Sequence, residues 1–191
     1  TNALARKSEI SLAYWGKLLV SQSARSDDEL ASRAMDVQNN ELFISAMKFA
    51  SSTEKERYNA LLSQISVQIE KKVQELLDRA DKYLQNEDVS VHGLALSSIA
   101  EAASLKEDIP GKYYWQLLRM FAGAADDEMF SQIPYPVKDD IYYQRALKYA
   151  NPAEAARYQR IAEKCQTAFG LKNDFSAVYL KNSHQLALFL P

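Results

Sequence analysis

The chain has 191 residues, 47% apolar and 25% charged, with 5 Gly and 5 Pro. That is enough for one domain, or two small ones sharing a core, able to bury roughly 70% of the surface an unfolded chain exposes without a disulfide or metal staple. A net charge of −2 and a pI near 5.8 leave no basic stripe to displace counterions from nucleic acid and no polybasic membrane patch.

The densest basic spot, Lys71-Lys72, is flanked by Glu70 and Glu75 and reads as a solvated helix face. The single cysteine, Cys165, excludes an internal disulfide framework. No apolar run approaches the ~20 residues of a membrane span. The stretch Thr1 to Lys7 lacks the apolar core of a signal peptide, so the expected location is cytoplasmic.

The first helix is predicted over 3–22, with Leu4, Ile10, Tyr14, Leu18 and Leu19 on one side. Ser26-Asp27-Asp28-Glu29 has the spacing of a capping box and opens a second helix, with Leu30, Ala34 and Met35 facing inward. Asn39-Asn40 interrupts, and Leu42 to Ala50 forms the third. Residues 52–86 read as one long helix, whose apolar positions Tyr58, Leu62, Ile65, Ile69, Val73, Leu76, Ala80 and Tyr83 step by threes and fours. Such a stripe needs a partner helix, from this chain or from a second copy of it.

Asn86-Glu87-Asp88 ends that element, and an Ala- and Ser-rich helix follows from Ser90 to Leu105. Glu107-Asp108-Ile109-Pro110-Gly111 is the expected boundary between two helical units, 1–106 and a shorter copy, 107–191, packed as one continuous domain. In the second unit, helices are expected near 111–123, 126–132, 138–150 and 152–169, the last ended by Gly170, and then over 174–189 with Phe175, Val178, Tyr179, Leu186 and Phe189. Ile133-Pro134-Tyr135-Pro136 forms an extended connector, since a residue before proline is pushed out of the α region. No segment alternates with period two. The fold class is all-α: eight to ten helices in two stacked, duplicated units, solenoid-like or bundle-like.

The duplication rests on one ungapped shift of 100 positions. It matches Tyr14-Trp15, Leu18, Ala24 and Asp27 to Tyr114-Trp115, Leu118, Ala124 and Asp127. It also matches Ala46, Lys48, Ala50, Glu54, Arg57 and Tyr58 to Ala146, Lys148, Ala150, Glu154, Arg157 and Tyr158, and fades after about residue 62. Ser51 or Asn151 as N-cap, with Glu54 or Glu154 three residues on, places a capped helix-to-helix corner at the same point in each copy. Pro152 suits the first helical position, where its missing N–H costs nothing. Arg57 and Tyr58 follow one turn later, within reach of Glu54, and read as parts of the corner.

Chemistry-bearing patterns fail on spacing. Paired metal-binding aspartates on a helix need positions i and i+4, but Ala31 follows Asp27 and Ser131 follows Asp127 at that spacing. The acidic clusters at 27–29, 126–128 and 139–140 all precede helices, where they cap N–H groups and suit the dipole. His92 and His184 belong to no zinc or di-iron motif. Cys165 shares an inward stripe with Ile161 and Phe169, and no phosphate-cradling glycine loop or nucleophile elbow occurs. No catalytic, metal or cofactor residues are assigned.

Adjacent rings on a helix point in different directions, so some of Tyr14, Trp15, Tyr113, Tyr114 and Trp115 are expected to reach solvent. Tyr and Trp favour binding hot spots, which makes these the candidate partner-binding residues. The function expected is that of a non-enzymatic adaptor, chaperone or scaffold binding a peptide or helix of a partner protein. The alternatives are a structural protein that self-associates through the 58–83 stripe, and a helical bundle with an interior polar pocket for ligand binding or catalysis.

Overall fold

The computed structural model describes the backbone of residues 2–187 and the side chains of 6–88 and 90–172. Among the described residues there are nine α-helices, two short 3-10 turns and no strand. Two compact units divide the chain, Thr1–Glu107 and Asp108–Pro191.

Unit 1 contains α1 (Asn2–Ser21), α2 (Asp27–Ser32), α3 (Glu41–Phe49), α4 (Ser52–Leu84), a 3-10 turn (Val89–Val91) and α5 (His92–Leu105). Helix α1 packs on α3, α2 packs on α4, and α5 folds back along α4. The corner into α4 is a complete capping box. Ser51 Oγ accepts from the Glu54 N–H, and the Glu54 carboxylate accepts from the Ser51 N–H at 2.7 Å. The α4 stripe is buried at Tyr58, Leu61, Ile65, Ile69, Val73, Leu76, Leu77 and Ala80. Burying side chains of this size contributes roughly 1.5–3 kcal/mol apiece for the larger ones. Leu61 takes the inward place expected of Leu62, while Leu62 and Tyr83 are half-buried. Helices α5 and α2 pack against α4 and cover much of this stripe within the chain.

Unit 2 contains α6 (Gly111–Phe121), α7 (Asp127–Gln132), a 3-10 turn (Val137–Asp139), α8 (Ile141–Lys148) and α9 (Pro152–Ala187). Helix α6 packs on α8, α7 packs on α9, and the 3-10 turn touches both α8 and α9. Asn151 and Glu154 repeat the reciprocal cap at 2.9 and 3.2 Å, with Pro152 at the first helical position.

Three expectations are corrected. Gly170 does not stop a helix: α9 runs through it to Ala187. A mid-helix glycine costs only about 1 kcal/mol relative to alanine, less than breaking the ladder on both sides. Met35 does not face inward but is 44% exposed, because α2 ends at Ser32 and Ala34 turns out of the helix with φ 51°. Ile10, expected on the same side of α1 as Leu18, is 42% exposed where Leu18 is 0% exposed. Gly111 opens α6 against α8, as expected of a helix starting there. A Cβ there would overlap Ala146 O and sit 2.7 Å from Ala150 N. The side chains of His184, Phe175, Val178, Tyr179, Leu186 and Phe189 lie outside the described residues.

Candidate functional site

The repeated residues converge on one polar node in each unit, and its geometry is copied closely. In unit 1, Trp15 stacks on Tyr58 at 4.3 Å and donates its indole N–H to Asp27 Oδ1 at 3.0 Å, while Arg57 Nε donates to Asp27 Oδ2 at 2.7 Å. In unit 2, Trp115 stacks on Tyr158 at 4.4 Å and donates to Asp127 Oδ1 at 2.9 Å, and Arg157 Nε donates to Asp127 Oδ2 at 2.6 Å. Asp27 and Asp127 thus do more than begin helices: each ties α2 or α7 to both neighbouring helices through charge-assisted hydrogen bonds. The N-caps themselves are Ser26 and Asp126. Arg57 pairs with Asp27 and not with Glu54, whose carboxylate is held by Ser51 and Ser8.

The aromatic pairs are packed, which corrects the expected exposure. Trp15 is 3% exposed, and Tyr113, Tyr114 and Trp115 are 5%, 0% and 3% exposed. Only Tyr14 is half-buried. Each helix lies between two others, so successive rings find different partners. Tyr14 stacks on Phe49 of α3 and Trp15 on Tyr58 of α4. Tyr114 stacks on Tyr149 at the end of α8, and Trp115 on Tyr158 of α9. The five rings do not form a contiguous surface patch.

Unit 2 adds a charge to its node. Arg119, 13% exposed at its side chain, approaches Asp127 Oδ1 at 3.4 Å, and its Nε is buried without a hydrogen-bond partner. Burial pulls its pKa down, and Asp127 pulls the other way. Burial likewise raises the Tyr158 hydroxyl to about 12 and the Cys165 thiol to about 11. Cys165 Sγ donates to Phe130 O at 3.0 Å. A thiol buried, neutral and hydrogen-bonded in this way is a packing residue. Among the described residues no three His, Cys, Asp or Glu side chains gather to hold a metal, and no helix is long and apolar enough to cross a membrane.

The groove with an apolar floor lies in unit 1, where α4 meets the end of α5 and the connector between α2 and α3. Leu62, Ile65, Ile69 and Leu105 line about 170 Å³, rimmed by Asp36, Gln38, Ser66, Glu70 and Lys106. One end is clamped by Lys106 Nζ to Glu70 Oε1 at 3.3 Å. The connector is held in place by buried Val37 and by Ala34, whose positive φ of 51° is a conformation that costs a residue with a Cβ roughly 1–2 kcal/mol. Sequence reasoning missed this groove because three separated segments build it and no local pattern marks it. Comparison with protein-family models, curated proteins and solved structures yields no match.

Proposed function

We propose that the protein is a non-enzymatic interaction module that takes an apolar-anchored peptide or helix of a partner protein in the unit 1 groove. The observation that carries this reading is the surface-open apolar floor of Leu62, Ile65, Ile69 and Leu105 within a polar rim. An apolar centre with a polar surround is the arrangement in which one or two buried side chains carry most of a binding energy. At about 170 Å³ the space suits such an anchor better than a drug-sized ligand, whose pockets begin near 300 Å³.

The test is selection of random peptides on the immobilised chain, followed by affinity measurement on Leu62→Glu and Ser66→Lys. Both positions lie on the groove, half-buried and exposed respectively. Enriched peptides should share an apolar anchor and bind each variant at least about tenfold more weakly, the loss of one modest hot spot, while melting temperature changes little for Ser66→Lys. Peptides that bind Ser66→Lys as tightly as the parent chain, or the absence of any enriched peptide, would contradict the reading.

A further inference from the structure

Lys7 of α1, Lys48 of α3 and Lys55 of α4 line one cleft of about 460 Å³, together with Phe49, Ser51 and Ser52. Three other unit 1 lysines sit in ion pairs, Lys71 with Glu75, Lys72 with Glu101 and Lys106 with Glu70, while Lys17 lies over the Tyr14 ring and Lys82, among the described residues, stands alone at the end of α4. Lys7, Lys48 and Lys55 have no carboxylate within ion-pair distance among the described residues, although Lys48 lies over the Phe49 ring at 5.6 Å. The acid at this corner, Glu54, is committed to Ser51 and Ser8. A chain of net charge −2 therefore gathers three uncompensated cations in one concave place.

The fold does not require them. The corner of unit 2 has Lys148 and Ala155 where Lys48 and Lys55 stand, and its α6, which begins at Gly111, has no residue in the place of Lys7, yet the reciprocal cap still forms through Asn151 and Glu154. Like charges brought together destabilise the corner slightly, so their convergence needs a reason outside folding. The Ser51–Glu54 box already engages the Glu54 amide of α4 and sets the Glu54 carboxylate at the same helix end, so the cations themselves define the site.

We propose that this cleft docks an acidic peptide segment of a partner protein, its spaced carboxylates facing the three ammonium groups and an apolar side chain resting on Phe49. Lysine offers point charges on flexible stems, and the cleft has no arginine fork to grip a phosphate in two places. Phe49, backed by Tyr14 at 6.1 Å, supplies a fixed apolar wall that a compact inorganic anion would not use. The site stands apart from the groove at Leu62, and neither proposal depends on the other.

The experiment is fluorescence anisotropy of a labelled hexaglutamate peptide titrated with the full chain at low ionic strength, where surface charges act with little screening. Saturable binding is expected, weakened about tenfold in Lys7→Ala/Lys48→Ala/Lys55→Ala, the sum of three exposed pairs. Lys55→Glu alone should weaken it in the same direction. Lys82→Ala/Lys138→Ala/Lys164→Ala, the same loss of charge at three exposed positions elsewhere, should leave it unchanged, as should Leu62→Glu. No saturable binding by the parent chain, an equal loss in the two triple variants, or tighter binding of a thymidine hexanucleotide than of hexaglutamate would each overturn the proposal.

Discussion

Ser11 and Gly111 occupy the same place in the two units and solve the same packing problem differently. In unit 1, Ser11 Oγ donates to Ala46 O at 3.0 Å and shares a hydrogen bond with Tyr58 Oη at 3.1 Å, so a small polar side chain fills the space between α1 and α3. In unit 2, Gly111 has no side chain and its backbone N–H donates to Tyr149 O at 3.0 Å, which brings α6 against α8 with no room for a Cβ. Other pairs follow the same logic. Arg25 N–H donates to Glu29 at 2.8 Å, and Ala125 N–H donates to Met129 Sδ at 3.3 Å. Asn40 and Asp140 cap α3 and α8. Buried Ile65 holds in unit 1 the position that Cys165, bonded to Phe130 O, holds in unit 2. What persists is the role at each position, and the residue that fills it changes with local spacing.

The sharpest break in this comparison should come at Gly111. Gly111→Ala forces overlap with backbone atoms that cannot retreat unless α6 leaves α8, and it should cost about 3 kcal/mol in urea unfolding. Ser11→Ala removes one buried hydroxyl and should cost about 1 kcal/mol. Equal costs would show that the two interfaces are spaced alike.

The aspartates should separate next. Asp127→Ala strands the Trp115 indole and the largely buried Arg119, and breaking such a pair costs about 3 kcal/mol. Asp27 has no counterpart of Arg119, because Leu19 stands there, and its Arg57 partner is half exposed. Asp27→Ala should therefore cost about 1–2 kcal/mol, close to one charged hydrogen bond. The difference should shrink when Arg119→Leu is combined with Asp127→Ala.

Alkaline pH should expose a smaller difference. Burial raises the hydroxyl pKa of both Tyr58 and Tyr158, that of Tyr158 to about 12, and a hydrogen bond with Ser11 restrains the rise at Tyr58. The folded state then holds these protons more tightly than the unfolded chain. This contribution is complete below pH 10 and is lost as pH rises toward 12. Melting temperature should fall over that window, and Tyr158→Phe should flatten the fall more than Tyr58→Phe.

The smallest effects should come from the turns after α1 and α6. Both end in the same pair of backbone bonds, with Ser23 at φ 54° and Gly123 at φ 80° in the left-handed position. Gly123→Ala should cost about 1 kcal/mol and Ser23→Gly should gain somewhat less than that, read from thermal unfolding.

Helix starts were legible because caps are local chemistry: Ser51 with Glu54 and Asn151 with Glu154 announce themselves three residues apart. The end of α9 was misread because Gly170 carries a composition signal that 36 residues of continuous hydrogen bonding override. Reading the Tyr–Trp pairs as partly exposed assumed that a helix has one buried face. Helices α1 and α6 have two, one toward the third helix of the unit and one toward the long helix. Assigning Asp27 and Asp127 to helix ends was incomplete, since their Arg57 and Arg157 partners lie 30 residues away. The signal was present all the same: Trp, Asp, Arg and Tyr repeat together under the single shift of 100 positions, which residues of unrelated roles have no reason to do.

Trp15 and Trp115 are the only tryptophans and fall one in each unit, so indole quenching reads each node separately. In Trp115→Phe and Trp15→Phe, the remaining indole should resist acrylamide in the folded chain and become accessible only as its unit unfolds in urea. An indole quenched in the folded chain as readily as in the unfolded one would contradict the account of twin buried nodes.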